Sequence, residues 1–341
     1  VAHKGEITGF ICIRAHWNDI GTAEPGFPVN SRNIFQEGMR WGPTKIIDQG
    51  KYVQDVMDLL CLNSRTPKVL MGDLKAELSA IRLGAERMNW LVDRFGSATL
   101  AEATDHIFNA TEAKFRKFVL DIPDGEYRAE GVSDNDGTSD EPVPVVVTVK
   151  IAGDHMTVDT TGSSAQRPGN LNTGFPNTVS AVRLGLALLF PEGEPDINDG
   201  SFRAMDVIAE PGSIFAATDP APCMRPHPVM LLIDLMIKAL APQMPDLVAA
   251  GLPGDSWNIF LMGKTSGGKP FMSGEALDGG WGASNGYDGA SAVIHSAAGD
   301  FRNMPVETLE NRVPVLIRRL ELGCDSGGAG EYRGGLNVVK E

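Results

Sequence analysis

A long helix is the feature that most constrains the fold, because Val69–Phe95 carries apolar residues three and four positions apart. These apolar residues are Leu74, Leu78, Ile81, Ala85, Met88, Leu91 and Phe95. Gly96 predicts the end of this helix. A shorter helix is predicted before it over Lys51–Asn63. After it, Thr99 and Glu102 form a capping-box pattern that predicts the start of a third helix. Together the two long helices predict an antiparallel helical hairpin.

The sequence on both sides of these helices favours β structure. The apolar run Ile7–Ile13 predicts a buried strand. Beyond the helices, Val143–Ile151 and Met156–Thr161 predict two strands of a hairpin that turns at Gly153 and Asp154. The chain therefore changes its periodicity twice, from strand to helix and back to strand.

The remaining segments complete the predicted architecture. Apolar helices are predicted over Asn177–Phe190 and Pro228–Leu240, and the last third of the chain is rich in glycine and in short strands. We expect an α+β protein with mixed β-sheets in several layers, an antiparallel helical hairpin and a glycine-rich β C-terminal part. The expected regions are 1–50, 51–125 and 126–341, with room for a sizeable core in 341 residues.

Composition argues against several functional classes. The net charge is −14 and no basic stripe is present, so we expect no nucleic-acid partner. No run of about 18 apolar residues occurs, so we expect no membrane span. The widely spaced cysteines Cys12, Cys61, Cys223 and Cys324 form no zinc-finger or disulfide pattern and favour a cytoplasmic location. Cys12 and Cys61 lie in apolar runs and are predicted to be buried.

One segment has part of the pattern of a phosphate-binding loop. Gly263, Lys264 and Thr265 match the end of that pattern, but Asn258 stands where its first glycine is required. Ser266 and Gly267 follow where a helix would have to begin. We therefore predict a hairpin turn here, and no ATP site on this chain.

The segment Arg14–Gly21 places a histidine and a carboxylate directly after the predicted strand Ile7–Ile13. His16 and Asp19 are residue types that bind borderline divalent metals. Without a metal, the same pair acts as a base with its orienting partner. The alternative is that both side chains only hydrogen-bond loop backbone.

Two glycine-dense loops are candidates for ligand contact. The first contains Gly279, Gly280 and Gly282, and the second contains Gly327, Gly328, Gly330 and Arg333. Dense glycine lets backbone N–H groups approach an anion closely. The alternative is a set of β-bulges and tight turns that need the glycine conformation.

Taken together, the chain resembles the hydantoinase B/oxoprolinase family. The resemblance rests on RAHWNDIG (14–21), FQEGMRWGPTKI (35–46), NSRTPKVLMGDLKAELSA (63–80), PDGEYRAEG (123–131), VDTTGSSAQRPGNLN (158–172), DGGWGASNGYDG (278–289) and DSGGAGEYRGG (325–335). These segments occur in family order and cover nearly the whole chain. Because neither Val1 nor Glu341 resembles a natural terminus, we expect an internal fragment of a longer protein.

The resemblance implies that two subunits carry out different steps of one reaction. A hydantoinase A type partner would bind ATP and phosphorylate a carbonyl or enol oxygen. The B-type chain would then process the activated compound by hydrolysis or carboxylation. The substrates implied are hydantoins, 5-oxoproline, lactams, or ketones such as acetone and acetophenone. A hetero-oligomer is expected, because the activated compound needs a site closed to bulk water.

The resemblance also implies candidate site residues. His16 and Asp19 match a His-x-x-Asp pair that binds a divalent metal, Zn or Mn, in several family members. A further family histidine is not matched, since Arg40 or Trp41 stands in its place. Either another group completes the metal site, or Arg40 replaces the charge of the cation.

Other residues are expected to complete a reaction chamber. Glu37 or Asp73 is expected as the acid/base, while Trp17 and Trp41 would help to exclude water. The two glycine-dense loops would line the chamber or the partner interface.

Two alternatives to this enzyme remain open. In the first, the chain is a structural subunit that only closes the active site of its partner, which the unmatched histidine favours. In the second, it is a stand-alone metal-dependent amidohydrolase, against which the incomplete ligand set argues.

Overall fold

The computed structural model describes residues 1–24, 28–190, 197–225, 227–254, 257–277, 279–298 and 302–341. Its first third contains two short hairpins and three helices. These are β1 (Ala2–His3), β2 (Glu6–Ile7), β3 (Ile47–Asp48), β4 (Lys51–Tyr52), α1 (Gln54–Leu62), α2 (Pro67–Phe95) and α3 (Ser97–Leu120). Gly96 ends α2 at a φ of 83° and joins it to α3, and the two long helices contact each other. The predicted capping box is wrong, because α3 begins at Ser97, two residues before Thr99.

The predicted buried strand over Ile7–Ile13 is also wrong. Only Ile7 belongs to a strand, and Ile7 and Phe10 are 71% and 80% exposed. The chain instead runs along α2, with Gly9 next to Met88 and Ile11 next to Gly84. Within the described chain, the backbone of residues 10–15 forms no hydrogen bond, so an apolar sequence suited to a strand has no neighbouring strand. Cys12 is consequently exposed rather than buried, and Cys61 is half-buried.

A four-stranded sheet with two helices forms the centre of the molecule. Its elements are β5 (Gly125–Ser133), β6 (Val143–Ala152), β7 (His155–Asp159), α4 (Phe175–Ala187), β8 (Met205–Ile208) and α5 (His227–Leu240). The strand order is β5-β6-β7-β8, in which only the last pair is parallel. The hairpin predicted at Gly153 is confirmed, since β6 and β7 pair antiparallel around it.

The main core lies where this sheet meets its helices. Alternate β6 residues, from Val143 to Ile151, point to one side and are almost fully buried. Helix α5 packs on β5 and β6, and Phe115 of α3 is buried in the same apolar cluster. We call this cluster around β5–β8, α4, α5 and the end of α3 the main core.

The C-terminal third consists of short pairs of strands and irregular loops. Its elements are β9 (Trp257–Lys264), β10 (Pro270–Leu277), α6 (Val306–Arg312), β11 (Leu320–Leu322) and β12 (Val338–Lys340). The turn predicted at Lys264–Gly267 is confirmed, because it joins β9 to β10 as an antiparallel hairpin. The α+β prediction with small mixed sheets is therefore confirmed.

A second, smaller apolar cluster lies in the N-terminal part of the chain. Its buried residues, which we call the small cluster, are Met57, Leu60, Leu70, Leu74 and Leu78 of α1 and α2. Trp17, Met39 and Trp41 pack against it and are only partly buried. Among the described residues, no helix combines the length and the apolar character needed to span a bilayer.

Candidate functional site

The segment Arg14–Gly21 is anchored to the start of α2 through Asp19. The Asp19 side chain is buried, and its Oδ1 lies 2.8 Å from the guanidinium Nη1 of Arg65. The backbone N–H groups of Arg65 and Gly21 also donate to this carboxylate. Arg65 in turn donates to the Thr22 carbonyl at 2.6 Å. Asp19 thus holds an irregular loop in place with charge-assisted hydrogen bonds.

The turn after Asp19 requires glycine. Gly21 has a φ of 78°, and a Cβ on it would lie 2.8 Å from the backbone oxygen of Asn63. This close approach brings the loop against the end of α1.

A second anchor lies further along α2. The indole Nε1–H of Trp17 donates to the Glu77 carboxylate, which fixes the orientation of the ring. Asp73 lies one turn before Glu77 on the same side of α2, between the two anchors. Its half-buried carboxylate forms no hydrogen bond or ion pair with any described residue. Asp73 therefore lies on the part of α2 that holds the loop with His16.

His16 itself is exposed on this loop. It is followed directly by Trp17, which faces an apolar pocket of about 260 Å³. Trp41 also lines the pocket, together with five aliphatic side chains. The structure therefore holds the loop that carries His16, Asp19 and Trp17 against the part of α2 that contains Asp73.

The structure places Glu37 elsewhere. Its carboxylate accepts hydrogen bonds from the Ser31 hydroxyl at 2.7 Å, from the Cys223 N–H at 2.8 Å and from the Met224 N–H at 3.1 Å. A carboxylate that holds three donors joins two loops and is poorly suited to exchanging protons with a substrate. Glu37 therefore joins two loops in this structure, while its acid/base role stays a prediction.

The charge of Glu37 also affects the thiol of Cys223. Burial, together with the negative charges of Glu37 and Asp219, raises the pKa of its thiol to about 11. The thiol therefore stays protonated and is unsuited to act as a nucleophile at neutral pH.

The structure pairs Arg40 with a carboxylate other than Asp19. Arg40 donates to the Asp219 carboxylate at 2.9 Å, and both side chains are largely exposed. The cation beside Asp19 is Arg65, from a different part of the chain.

The predicted Zn or Mn ligands do not fit a metal in this arrangement. Both oxygens of Asp19 accept hydrogen bonds from Arg65 or Gly21. In the described ranges, no group of three His, Cys, Asp or Glu side chains is arranged to hold a metal ion. A metal at His16 would therefore need other donors.

The two glycine-dense loops pack against each other. The Gly335 N–H donates to the Trp281 carbonyl at 2.9 Å, and the Gly289 N–H donates to the Arg333 carbonyl at 2.7 Å. A Cβ on Gly280 would clash with the backbone oxygen of Gly335, so this contact requires glycine. The contacts therefore favour the alternative interpretation, in which these glycines allow tight backbone packing.

Several N–H groups of these loops are already used. Those of Gly279 and Gly282 donate to the carbonyls of Val293 and Gly251, so they do not face an anion. Arg333 lies on the surface, 3.8 Å from the Asp325 carboxylate. In the described part of the chain, no hydrogen bond or ion pair joins these loops to Arg14–Gly21. Asp278, which opens the first loop, lies outside the described residues.

The sequence profile of the hydantoinase B/oxoprolinase family matches residues 1–341. This chain belongs to the hydantoinase B/oxoprolinase family. It is 32% identical to a putative B subunit of a D-/L-hydantoinase from Pseudomonas sp. (strain NS671), over 100% of this chain and 59% of that protein. It is also 30% identical to the beta subunit of the caprolactamase from Pseudomonas jessenii, over 100% of this chain and 60% of that protein.

Two solved structures agree with the fold. The ATP-dependent caprolactamase of Pseudomonas jessenii superposes with a TM-score of 0.87 at 29% identity, over 95% of this chain and 57% of that chain. Acetone carboxylase in its nucleotide-free form superposes with a TM-score of 0.83 at 19% identity, over 95% of this chain and 46% of that chain, which supports the fold alone. This chain spans about three fifths of the length of the curated relatives named above.

Sequence reasoning missed two residues of this site region. Arg65 and Glu77 hold Asp19 and Trp17, and both lie in the segment 63–80 that contributed to the resemblance. Their role was not visible, because neither lies near its partner in sequence. An arginine just before the helix-starting Pro67 was the available signal.

Proposed function

We propose that this chain is the B-type component of an ATP-dependent enzyme that acts on a carbonyl compound. A hydantoinase A type partner would phosphorylate the carbonyl oxygen of a lactam, hydantoin, 5-oxoproline or ketone. This chain would then process the activated compound by hydrolysis or carboxylation. The names of its relatives support the proposal, since they are subunits of a hydantoinase, a caprolactamase and an acetophenone carboxylase.

The residues around Arg14–Gly21 have complementary roles in this proposal. Phosphate is a far better leaving group than the bare carbonyl oxygen. In the hydrolytic case, a water molecule attacks the activated carbon while Asp73 accepts its proton, and the C–N bond of the ring then breaks as the leaving nitrogen takes up a proton. A second water molecule hydrolyses the resulting acyl phosphate to a carboxylate and inorganic phosphate. His16 binds the phosphorylated oxygen or the attacking water, and Arg65, held by Asp19, adds positive charge nearby. Trp17 and Trp41 keep bulk water away from the activated compound.

The observation that carries the proposal is the position of Asp73. It is a half-buried carboxylate without a partner among the described residues, and it lies between two anchors that hold a histidine-bearing loop beside an apolar pocket. Polar groups at the mouth of an apolar pocket are the usual composition of a ligand site.

The decisive experiment measures turnover in the complex purified with its natural partner. We expect His16→Ala and Asp73→Asn each to lower kcat at least about 100-fold, because both remove a group that touches the reacting atoms. ATP hydrolysis by the partner should persist, and the complex should assemble normally. His106→Ala, at an exposed position of α3, is the matched control and should keep full activity. Full turnover in both site variants would contradict the proposal.

A second candidate function is that of a chain that only closes the active site of its partner. The observation that favours it is the structural use of Asp19 and Glu37, whose carboxylates are occupied by loop contacts. Metal analysis of the purified complex, combined with the two site variants, separates the candidates. An active complex that contains no metal and tolerates both substitutions would support the closing role.

A further inference from the structure

The apolar pocket beside Arg14–Gly21 has a composition that selects among carbonyl compounds. Its volume is about 260 Å³, close to the lower end of the range for ligand sites of roughly 300 Å³. Its lining consists of Trp17, Trp41 and the aliphatic side chains of Ile20, Met39, Ile46, Leu60 and Leu74. None of these side chains carries a titratable group.

The pocket is held open by its surroundings. Leu60 and Leu74 form its floor, and they are 3% and 2% exposed within the small cluster. The hydrogen bond from the Trp17 indole to Glu77 stops this ring from rotating to fill the space. A preformed pocket binds its ligand without first having to reorganise.

The residues that line the pocket are neighbours in sequence of the proposed reaction residues. Trp17 and Ile20 directly follow His16 and Asp19 in the chain, and Leu74 directly follows Asp73 in α2. The backbone of each polar residue therefore adjoins the pocket lining, while the lining itself is apolar.

We propose that this pocket binds the uncharged, apolar part of the substrate, with the carbonyl carbon at its polar edge. The inference rests on the proposed function and narrows it to neutral lactams and ketones with a hydrocarbon body. A carboxylate placed among these side chains would lose its hydration without gaining a hydrogen-bond partner. The site therefore disfavours 5-oxoproline, which carries such a group.

The test uses calorimetric binding to the full complex without ATP, with three related lactams. 2-Pyrrolidinone and 5-oxoproline share a ring and differ in one carboxylate, whereas ε-caprolactam is 2-pyrrolidinone with two additional methylenes. We expect ε-caprolactam to bind at least about tenfold more tightly than 2-pyrrolidinone, because both methylenes leave water. We expect 5-oxoproline to bind at least about tenfold more weakly than 2-pyrrolidinone.

Two matched variants locate the binding. Ile46→Phe adds volume inside the pocket and should weaken ε-caprolactam binding at least about tenfold. Ile7→Phe makes the same change at a position that is 71% exposed and should leave the affinity unchanged. Circular dichroism of both variants checks that each is folded. Should Ile46→Phe be misfolded, Trp41→Ala replaces it and should also weaken ε-caprolactam binding, by removing an indole wall.

Three outcomes would overturn the pocket proposal. These are equal affinity for 5-oxoproline and 2-pyrrolidinone, no binding of any lactam, or full affinity in the folded pocket variant. Loss of complex assembly in Ile46→Phe would overturn it as well, by assigning the pocket to a partner side chain. ATP-dependent turnover is measured in parallel. If the complex turns over but the lactams do not bind in the expected order, the pocket proposal is contradicted and the proposed function stands. If the lactams bind in that order but the complex shows no ATP-dependent turnover, the proposed function is contradicted and the pocket proposal stands.

Discussion

The main core and the small cluster are built in opposite ways. The main core joins a four-stranded sheet, two helices and the end of α3 around residues such as Phe115 and Val147, which are fully buried. The small cluster has five buried residues from two helices, and its neighbouring loops are held by side chains such as Asp19 and Trp17. Backbone pairing organises the first region, and polar side-chain anchors organise the second.

The two regions differ in what they offer: the main core provides stability, and the small cluster provides space for a ligand. A closed apolar core contributes most of the folding free energy but leaves little room for a ligand. The small cluster leaves a pocket, an exposed histidine and a carboxylate without a described partner. The region with fewer buried residues is therefore the one in which a substrate can be bound.

The largest expected effect comes from the main core. Phe115→Ala should lower the free energy of unfolding by about 3–5 kcal/mol, because it leaves a cavity between α3 and the sheet. Chemical denaturation measures the loss. Phe10→Ala, at a position that is 80% exposed, is the control and should change stability by no more than about 0.5 kcal/mol. A similar loss of stability in both variants would show that Phe115 in the main core contributes no more to folding than an exposed side chain does.

The next effect should be confined to the N-terminal region. Asp19→Ala removes the buried partner of Arg65 and should cost about 3 kcal/mol locally. Hydrogen exchange should then increase in residues 14–24 and 63–70, while protection of β6 stays unchanged. Asp48→Ala breaks the exposed pair with Lys45 and should cost at most about 1 kcal/mol. An equal loss of protection in β6 would show that the two regions unfold as one.

A smaller, pH-dependent effect is expected in a loop beside the main core. Burial opposes ionisation of Asp136, but hydrogen bonds from Thr138, Gly169 and Ser139 outweigh it and lower the pKa of this carboxyl to about 2. Because the pKa of Asp136 in the folded protein lies below its ordinary value, the ionised carboxylate stabilises the fold. This stabilisation is complete above about pH 4 and is lost as pH falls towards 2.

Denaturation between pH 5 and pH 2 tests this contribution. The wild-type protein should lose about 2 kcal/mol more than Asp136→Asn over that interval. Asp134→Asn makes the same change at an exposed neighbouring position and should retain the wild-type pH dependence. Parallel pH curves for the wild-type protein and Asp136→Asn would show that the loop does not depend on the charge.

The smallest effect concerns reactivity rather than stability. At pH 8, iodoacetamide should label Cys223 at least about 100-fold more slowly than the exposed Cys12 and Cys324, because its thiol has a pKa of about 11. Mass spectrometry of peptides measures each rate. Rapid labelling of Cys223 would show that the loop held by Glu37 opens readily.

Local patterns predicted most of the helices and strands. The 3.6-residue period predicted α2, and β-rich segments on both sides of the turn at Gly153 predicted β6 and β7. The same rules failed over Ile7–Ile13, because an apolar run becomes a strand only where another strand pairs with it. The beginning of α3 also differed, since Gly96 both ends α2 and immediately precedes Ser97.

The sequence by itself determined the fold class and the family, because these depend on local periodicity and on motifs in a fixed order. Tertiary structure decided which charge faces Asp19, since Arg65 lies 46 residues away and Arg40 turns towards Asp219. It also decided the pocket, whose walls come from separate stretches of the chain. Contacts between distant segments depend on how helices pack, and no local pattern encodes that packing.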